Sequence, residues 1–179
     1  MSRKTTITGF LLLVVFLVGL WIGPGKPLAR SQSPAKTKVS TSVGSLAPDI
    51  MFSELEGEQF RLSDFRGKVV MINLFASWCG PCILETPHLV EFFKENHEEV
   101  MVIGLNFGER REAIENYRDR FEVNYPLIFD LNGSIGEIYR GRGLPTSWFI
   151  DSEGVIRHIQ VGPMTSDFIL KVVQDIKDG

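Results

Sequence analysis

The chain has two cysteines, and they stand together in Trp78-Cys79-Gly80-Pro81-Cys82. Two intervening residues let the second sulfur reach the first and close a small disulfide ring. The pair follows an apolar run, Val69-Val70-Met71-Ile72-Asn73-Leu74-Phe75, and precedes a segment with helical periodicity. Strand, turn, then a cysteine pair opening a helix is the geometry of a redox dithiol. Unpaired N–H groups and the positive end of the dipole favour an anion at a helix N-terminus. A thiolate there has a lowered pKa, and the thiolate is the nucleophile. Pro81 suits a first helical turn, where its missing N–H needs no partner. Cys79 is therefore expected to be the exposed attacking sulfur and Cys82 the buried resolving one. A static disulfide is one alternative, although staples usually close longer loops. Half of a zinc site is another, but the chain has no second cysteine pair, and its three histidines complete no zinc pattern.

The 179 residues suit one domain of about 130 to 140 residues plus an appendage. A hydrophobic fraction of 44% with 13 Phe can supply a core. The net charge of −3, with no strong basic cluster in the globular part, leaves no electrostatic footprint for nucleic acid.

The appendage is N-terminal. Arg3 and Lys4 precede an apolar stretch from Ile7 to Ile22, which Gly23-Pro24-Gly25 ends. That pattern is a secretory signal or a membrane anchor. The stretch is somewhat short for a span of about 20 residues. Trp21 stands where an interfacial aromatic would anchor. The only cleavage candidate is Ala29-Arg30-Ser31, so residues 1–23 are expected to remain as a membrane anchor. Residues 24–45 are rich in Pro, Gly, Ser, Thr and Lys and show no apolar period. They predict a flexible tether, and the globular domain is expected over 46–179.

Within that domain, Ile50–Phe52 and Gln59–Leu62 predict a hairpin, and Ser63–Gly67 a helical turn. Val69–Phe75 and Val100–Phe107 read as buried strands. Pro81 to about Asn96 reads as a helix with Leu84, Val90, Phe92 and Phe93 on apolar faces and a kink at Pro87. Arg110–Phe121 is an amphipathic helix whose stripe is Ile114, Tyr117 and Phe121. A short strand at Pro126–Phe129, a helical turn at Gly133–Tyr139, a hairpin of Ser147–Ile150 with Val155–Val161, and a closing helix at Thr165–Lys177 complete the order. This is an α/β design with a mixed central sheet flanked by helices and an added N-terminal β-hairpin.

Residues 45–177 resemble the thioredoxin fold, and within it the membrane-tethered thiol–disulfide oxidoreductases of the ResA/TlpA type. The carriers are Asn73-Leu74-Phe75-Ala76-Ser77-Trp78-Cys79-Gly80-Pro81-Cys82, Glu85-Thr86-Pro87, Gly143-Leu144-Pro145-Thr146 and Phe149-Ile150-Asp151-Ser152-Glu153-Gly154. The resemblance implies that Pro145 is a cis-proline facing the dithiol, that Leu144 pairs its backbone with an extended substrate, and that Trp78 packs at the active-site mouth. It also implies a role for Glu85. Ordinary thioredoxins carry a buried acid at the position of Asn73, which cannot take a proton. Glu85, one helical turn after Cys82, matches a glutamate near the dithiol of the ResA type. Burial would raise its pKa and let it exchange a proton with Cys82. The alternative is a solvent-facing helical glutamate. One position departs: the ResA type has glutamate where this chain has Gly80, which leaves the redox poise open.

The same resemblance implies an extracytoplasmic reductase of client disulfides, apocytochrome c among them. Its electrons would come from a membrane thiol carrier of the CcdA/DsbD type, with no cofactor and no metal. Competing readings are an oxidase or isomerase of secreted disulfides, and a copper metallochaperone drawing on His88 or His158. A peroxidase fits less well with the cysteine pair at the thioredoxin position.

Overall fold

The computed structural model describes residues 38–55, 57–130 and 133–179. The anchor expected over 1–23 and the tether up to residue 37 lie outside the described residues. Among the described residues no helix is long and apolar enough to cross a membrane.

The apolar run over 69–75 forms the middle strand of a five-stranded sheet. The elements in order are β1 (Met51–Ser53), β2 (Gln59–Arg61), a 3₁₀ turn (Leu62–Phe65), β3 (Val69–Phe75), α1 (Gly80–Asn96), β4 (Val100–Asn106), α2 (Arg111–Phe121), β5 (Leu127–Ile128), α3 (Ser134–Ile138), β6 (Thr146–Ile150), β7 (Ile156–Val161) and α4 (Ser166–Asp178). The sheet order is β5-β4-β3-β6-β7, and β1 with β2 forms a separate hairpin. β3, β4 and β5 run parallel, and β6 and β7 antiparallel to their neighbours. The sequence-based expectation of a thioredoxin-like mixed sheet with an added hairpin therefore holds.

Every residue of β3 is buried, which explains its run without polar alternation. Val69, Met71 and Phe75 pack on one face with Leu89 and Phe92 of α1, Ile114 and Tyr117 of α2, and Ile169, Val172 and Val173 of α4. Val70, Ile72 and Leu74 pack on the other with Phe52, Leu62, Tyr139 and Trp148. α1 continues past Pro87 as one helix. Its buried side is Cys82, Glu85, Thr86, Leu89 and Phe92. Leu84, expected on an apolar face, is 72% exposed.

The tether expected over 24–45 ends earlier than its composition suggests. The N–H of Gly44 donates to Ile156 O at 2.8 Å, Ile156 N–H donates to Ser45 O at 2.9 Å, and the indole N–H of Trp148 donates to Thr41 O at 3.2 Å. Residues 38–45 therefore belong to the fold. They give partners to the start of edge strand β7 and to a buried Trp, groups that would otherwise need water or another chain.

Candidate active site

β3 delivers the chain to the dithiol. Past Phe75, the loop Ala76-Ser77-Trp78 leads into Cys79, the N-cap of α1. Cys79 and Cys82 form a disulfide with their Cα atoms 5.2 Å apart. The Cys82 N–H donates to Cys79 Sγ at 3.2 Å, and the Ile83 N–H to Cys79 O at 3.0 Å. Cys79 Sγ thus holds the place of an N-cap acceptor, where a thiolate is stabilised by an N–H and by the helix dipole. Cys82 is buried as expected, at 1% exposure, whereas Cys79, expected to be exposed, is only 6% exposed, its sulfur being tied to Cys82. Trp78 beside them is 67% exposed, so it is a surface residue and not a core one. A Cβ at Gly80 would meet nothing within 4 Å, so space does not demand the glycine there.

Glu85 is 1% exposed, which rules out the solvent-facing reading. It follows Cys82 by three residues, on the same side of α1. Asn73 Nδ2 donates to Glu85 Oε2 at 3.0 Å, and the Met164 N–H donates to Oε1 at 3.1 Å. Loss of water raises the Glu85 pKa to about 7, against the two hydrogen bonds that favour its charged form. Asn73 is therefore the partner of the acid and not merely its replacement. Its Nδ2 also donates to Ser147 Oγ at 2.9 Å, and Ser147 faces Asn73 directly across β3 and β6.

Three supports were not read from the sequence. Glu109, in the loop after β4, accepts from the Ser77 N–H at 2.7 Å, the Ser77 hydroxyl at 2.5 Å and Asn106 Nδ2 at 2.7 Å. One carboxylate thereby fixes the loop that carries Trp78 into Cys79. Thr86 Oγ1 donates to Cys82 O at 2.8 Å and hydrogen-bonds the hydroxyl of Tyr117, which also reaches Cys82 O at 3.3 Å. The third is the Met164 amide, a backbone group that no side-chain pattern reveals. The spacing Asn106-x-x-Glu109 has the form of a loop cap, the one local cue that could have pointed to the first.

The peptide bond before Pro145 is cis, as the resemblance implied. Leu74 pairs with Thr146, which sets Leu144-Pro145 at the end of the sheet where β3 runs into the dithiol loop. Leu144 packs against the cluster that contains both cysteines. Among the described residues its N–H and C=O have no hydrogen-bond partner.

The two histidines considered for copper lie elsewhere. His158 faces Phe149, which in turn faces Met71. That puts it four residues short of the Phe75 end, about 13 Å at roughly 3.3 Å per residue. Its ring lies between Phe149 and Phe168, and its buried Nε2 has no partner among the described residues. His88 Nδ1 contacts Ser166 Oγ at 3.5 Å. The geometry supplies no reason to bring either histidine to the dithiol.

Residues 43–159 match the AhpC/TSA family. Over 141 residues the chain is 34% identical to the thiol-disulfide oxidoreductase ResA of Geobacillus kaustophilus, an alignment covering 78% of this chain and 81% of that relative. The thiol-disulfide oxidoreductase ResA of Bacillus subtilis is 32% identical over 143 residues, 79% of this chain and 80% of the relative. The solved structure of the pneumococcal exposed lipoprotein thioredoxin from Streptococcus pneumoniae superposes with a TM-score of 0.64 at 32% identity, over 72% of this chain and 99% of that one.

Proposed function

The chain belongs to the AhpC/TSA family and is a thiol–disulfide oxidoreductase similar to ResA, and from that premise we propose a direction, a client and a place for its reaction. It reduces disulfides in other proteins. The Cys79 thiolate attacks one sulfur of a client disulfide; a Cys79–client bond forms and the other client sulfur leaves as a thiolate, which takes a proton. Cys82 then gives its proton to the Glu85 carboxylate and attacks Cys79 Sγ. The Cys79–client bond breaks, and the second client thiolate leaves and is protonated. Two electrons pass to the client, and the Cys79–Cys82 disulfide remains. The observation that carries this reading is the titratable Glu85, buried one turn behind a cysteine pair that caps α1. Leu144, beside cis Pro145, offers an unpaired backbone edge to an extended client segment, and exposed Trp78 offers it an apolar contact.

The client is a secreted protein with a reducible cysteine pair, apocytochrome c first among them, and the electrons return from a membrane thiol carrier of the CcdA/DsbD type. The domain stands outside the cytoplasmic membrane, held by residues 1–23 and the tether after them. The signal-like N-terminus supports this location. Full-length protein is expected to stay with membranes through a carbonate wash, its domain open to protease from outside. Recovery as a soluble protein beginning near Ser31 would show cleavage instead.

A further inference from the structure

A cleft of about 460 Å³ opens beside Leu144, the residue that also packs against the cluster containing both cysteines. We propose that this cleft is the subsite for the client residues that flank the attacked cysteine, an apolar side chain on its wall and a carboxylate at Arg142. The proposal rests on the reading of the chain as a reductase with Leu144 as the client-pairing residue.

The wall is formed by Leu74, Phe107 and Leu144. Phe107 is 51% exposed, a large apolar ring left in water beside the catalytic end of the sheet. Such a surface marks an interaction site when it adjoins a functional centre. The loop Arg140-Gly141-Arg142-Gly143 forms the rim and leads directly into Leu144. Its path is fixed. Thr146 Oγ1 donates to Gly143 O at 2.7 Å, and a Cβ at Gly141 would lie 2.6 Å from Thr146 Oγ1. The backbone of Arg142 is therefore held at the rim.

The charges of the rim are unequally used. Arg140 pairs with Glu137 at 2.5 Å. Asp130 is taken up by the N–H groups of Ile135 and Gly136, at 2.9 and 2.7 Å. Arg142 is exposed and, among the described residues, has no hydrogen-bond or ion-pair partner. Among the described residues the cleft thus presents an apolar wall and, in Arg142, a cation with no ion-pair partner. A guanidinium free of an internal partner matches a carboxylate from outside. An extended segment that pairs with Leu144 places the residues flanking its cysteine along this rim.

The test uses two synthetic peptides, each closed by one Cys-Ala-Ala-Cys disulfide with Leu beside it. Their outermost flanking residues are Glu in one and Lys in the other. The wild-type protein is expected to reduce the Glu peptide with a kcat/KM about fivefold higher, carried by KM, as one rim charge pair allows. Arg142→Glu should invert the preference, again through KM. Lys171→Glu reverses a charge on α4 and should leave the preference intact. A second measurement needs no redox step: polarisation of fluorescein-labelled versions of the peptides with Ser in place of Cys. It should give the same order and the same inversion. Equal Glu-to-Lys ratios for wild type and Arg142→Glu in both assays would overturn the subsite, as would an equal shift from Lys171→Glu. Inversion in binding with no reduction of either peptide would uphold the subsite and overturn the reductase reading.

Discussion

Cys82→Ser is expected to stop the reaction at its first step. The Cys79 thiolate still attacks, but no second sulfur releases the client, so a mixed disulfide accumulates and is visible on a non-reducing gel. Multiple turnover should fall by roughly 10³-fold or more, as when a nucleophile is removed from a unit that acts as a whole. Cys79→Ser should abolish turnover equally and trap nothing. The difference between the variants comes from position. Cys79 caps α1 and receives the Cys82 N–H, whereas Cys82 lies deeper in the core. On the reduced protein at neutral pH, an alkylating agent should label Cys79 well ahead of Cys82. Equal labelling, or trapping by Cys79→Ser in place of Cys82→Ser, would reverse the assigned roles.

Glu85→Gln is expected to have the next largest effect, and pH should expose it. With a pKa of about 7, Glu85 becomes an effective proton acceptor for Cys82 as pH rises through neutrality. Client reduction by the wild type should climb between about pH 6 and about pH 8, while Glu85→Gln should be slower by roughly 100-fold and lack that limb. Stability moves in the opposite direction. Folding raises this pKa from 4.5 to about 7. Between those values the native state binds the proton and the unfolded state does not, so stability falls as pH rises. The contribution is fully present below the unfolded pKa and lost above the folded one, a change of about 3 kcal/mol at most. Gln keeps one of the two acceptor contacts and loses the other, at about 1 kcal/mol independent of pH. Urea unfolding of the oxidised protein at about pH 5 and about pH 8 should therefore show wild type losing more stability than Glu85→Gln. Equal pH slopes, together with equal rates from pH 6 to 8, would make Glu85 a purely structural residue.

Most of this design was legible because its signals are local. The unbroken apolar run of β3 predicts a strand buried on both faces, and β3 is that strand. The cysteine pair with Pro81 predicts a helix start, and the helix begins at Gly80 with Cys79 as its cap. Leu84 misled because a leucine between Cys82 and Glu85 looks like core, while in fact the glutamate is buried and the leucine is out. Helical periodicity favours the apolar residue. It took the resemblance to place the acid inside, and only the partners Asn73 and Met164 explain why burial is tolerated. The Glu109 contacts join β3 and β4 loops 32 residues apart, and no pattern in either loop announces the other. Residues 38–45 look like linker because their contribution is backbone hydrogen bonding to an edge, which leaves no trace in side-chain hydropathy.

The direction of electron flow is set by the equilibrium between the Cys79–Cys82 dithiol and its disulfide. Equilibrating the full-length protein with dithiothreitol redox buffers and counting free thiols gives its reduction potential. A reductase of client disulfides predicts a value near the roughly −270 mV of thioredoxin, and a value near the roughly −120 mV of DsbA would contradict it and make the protein an oxidant.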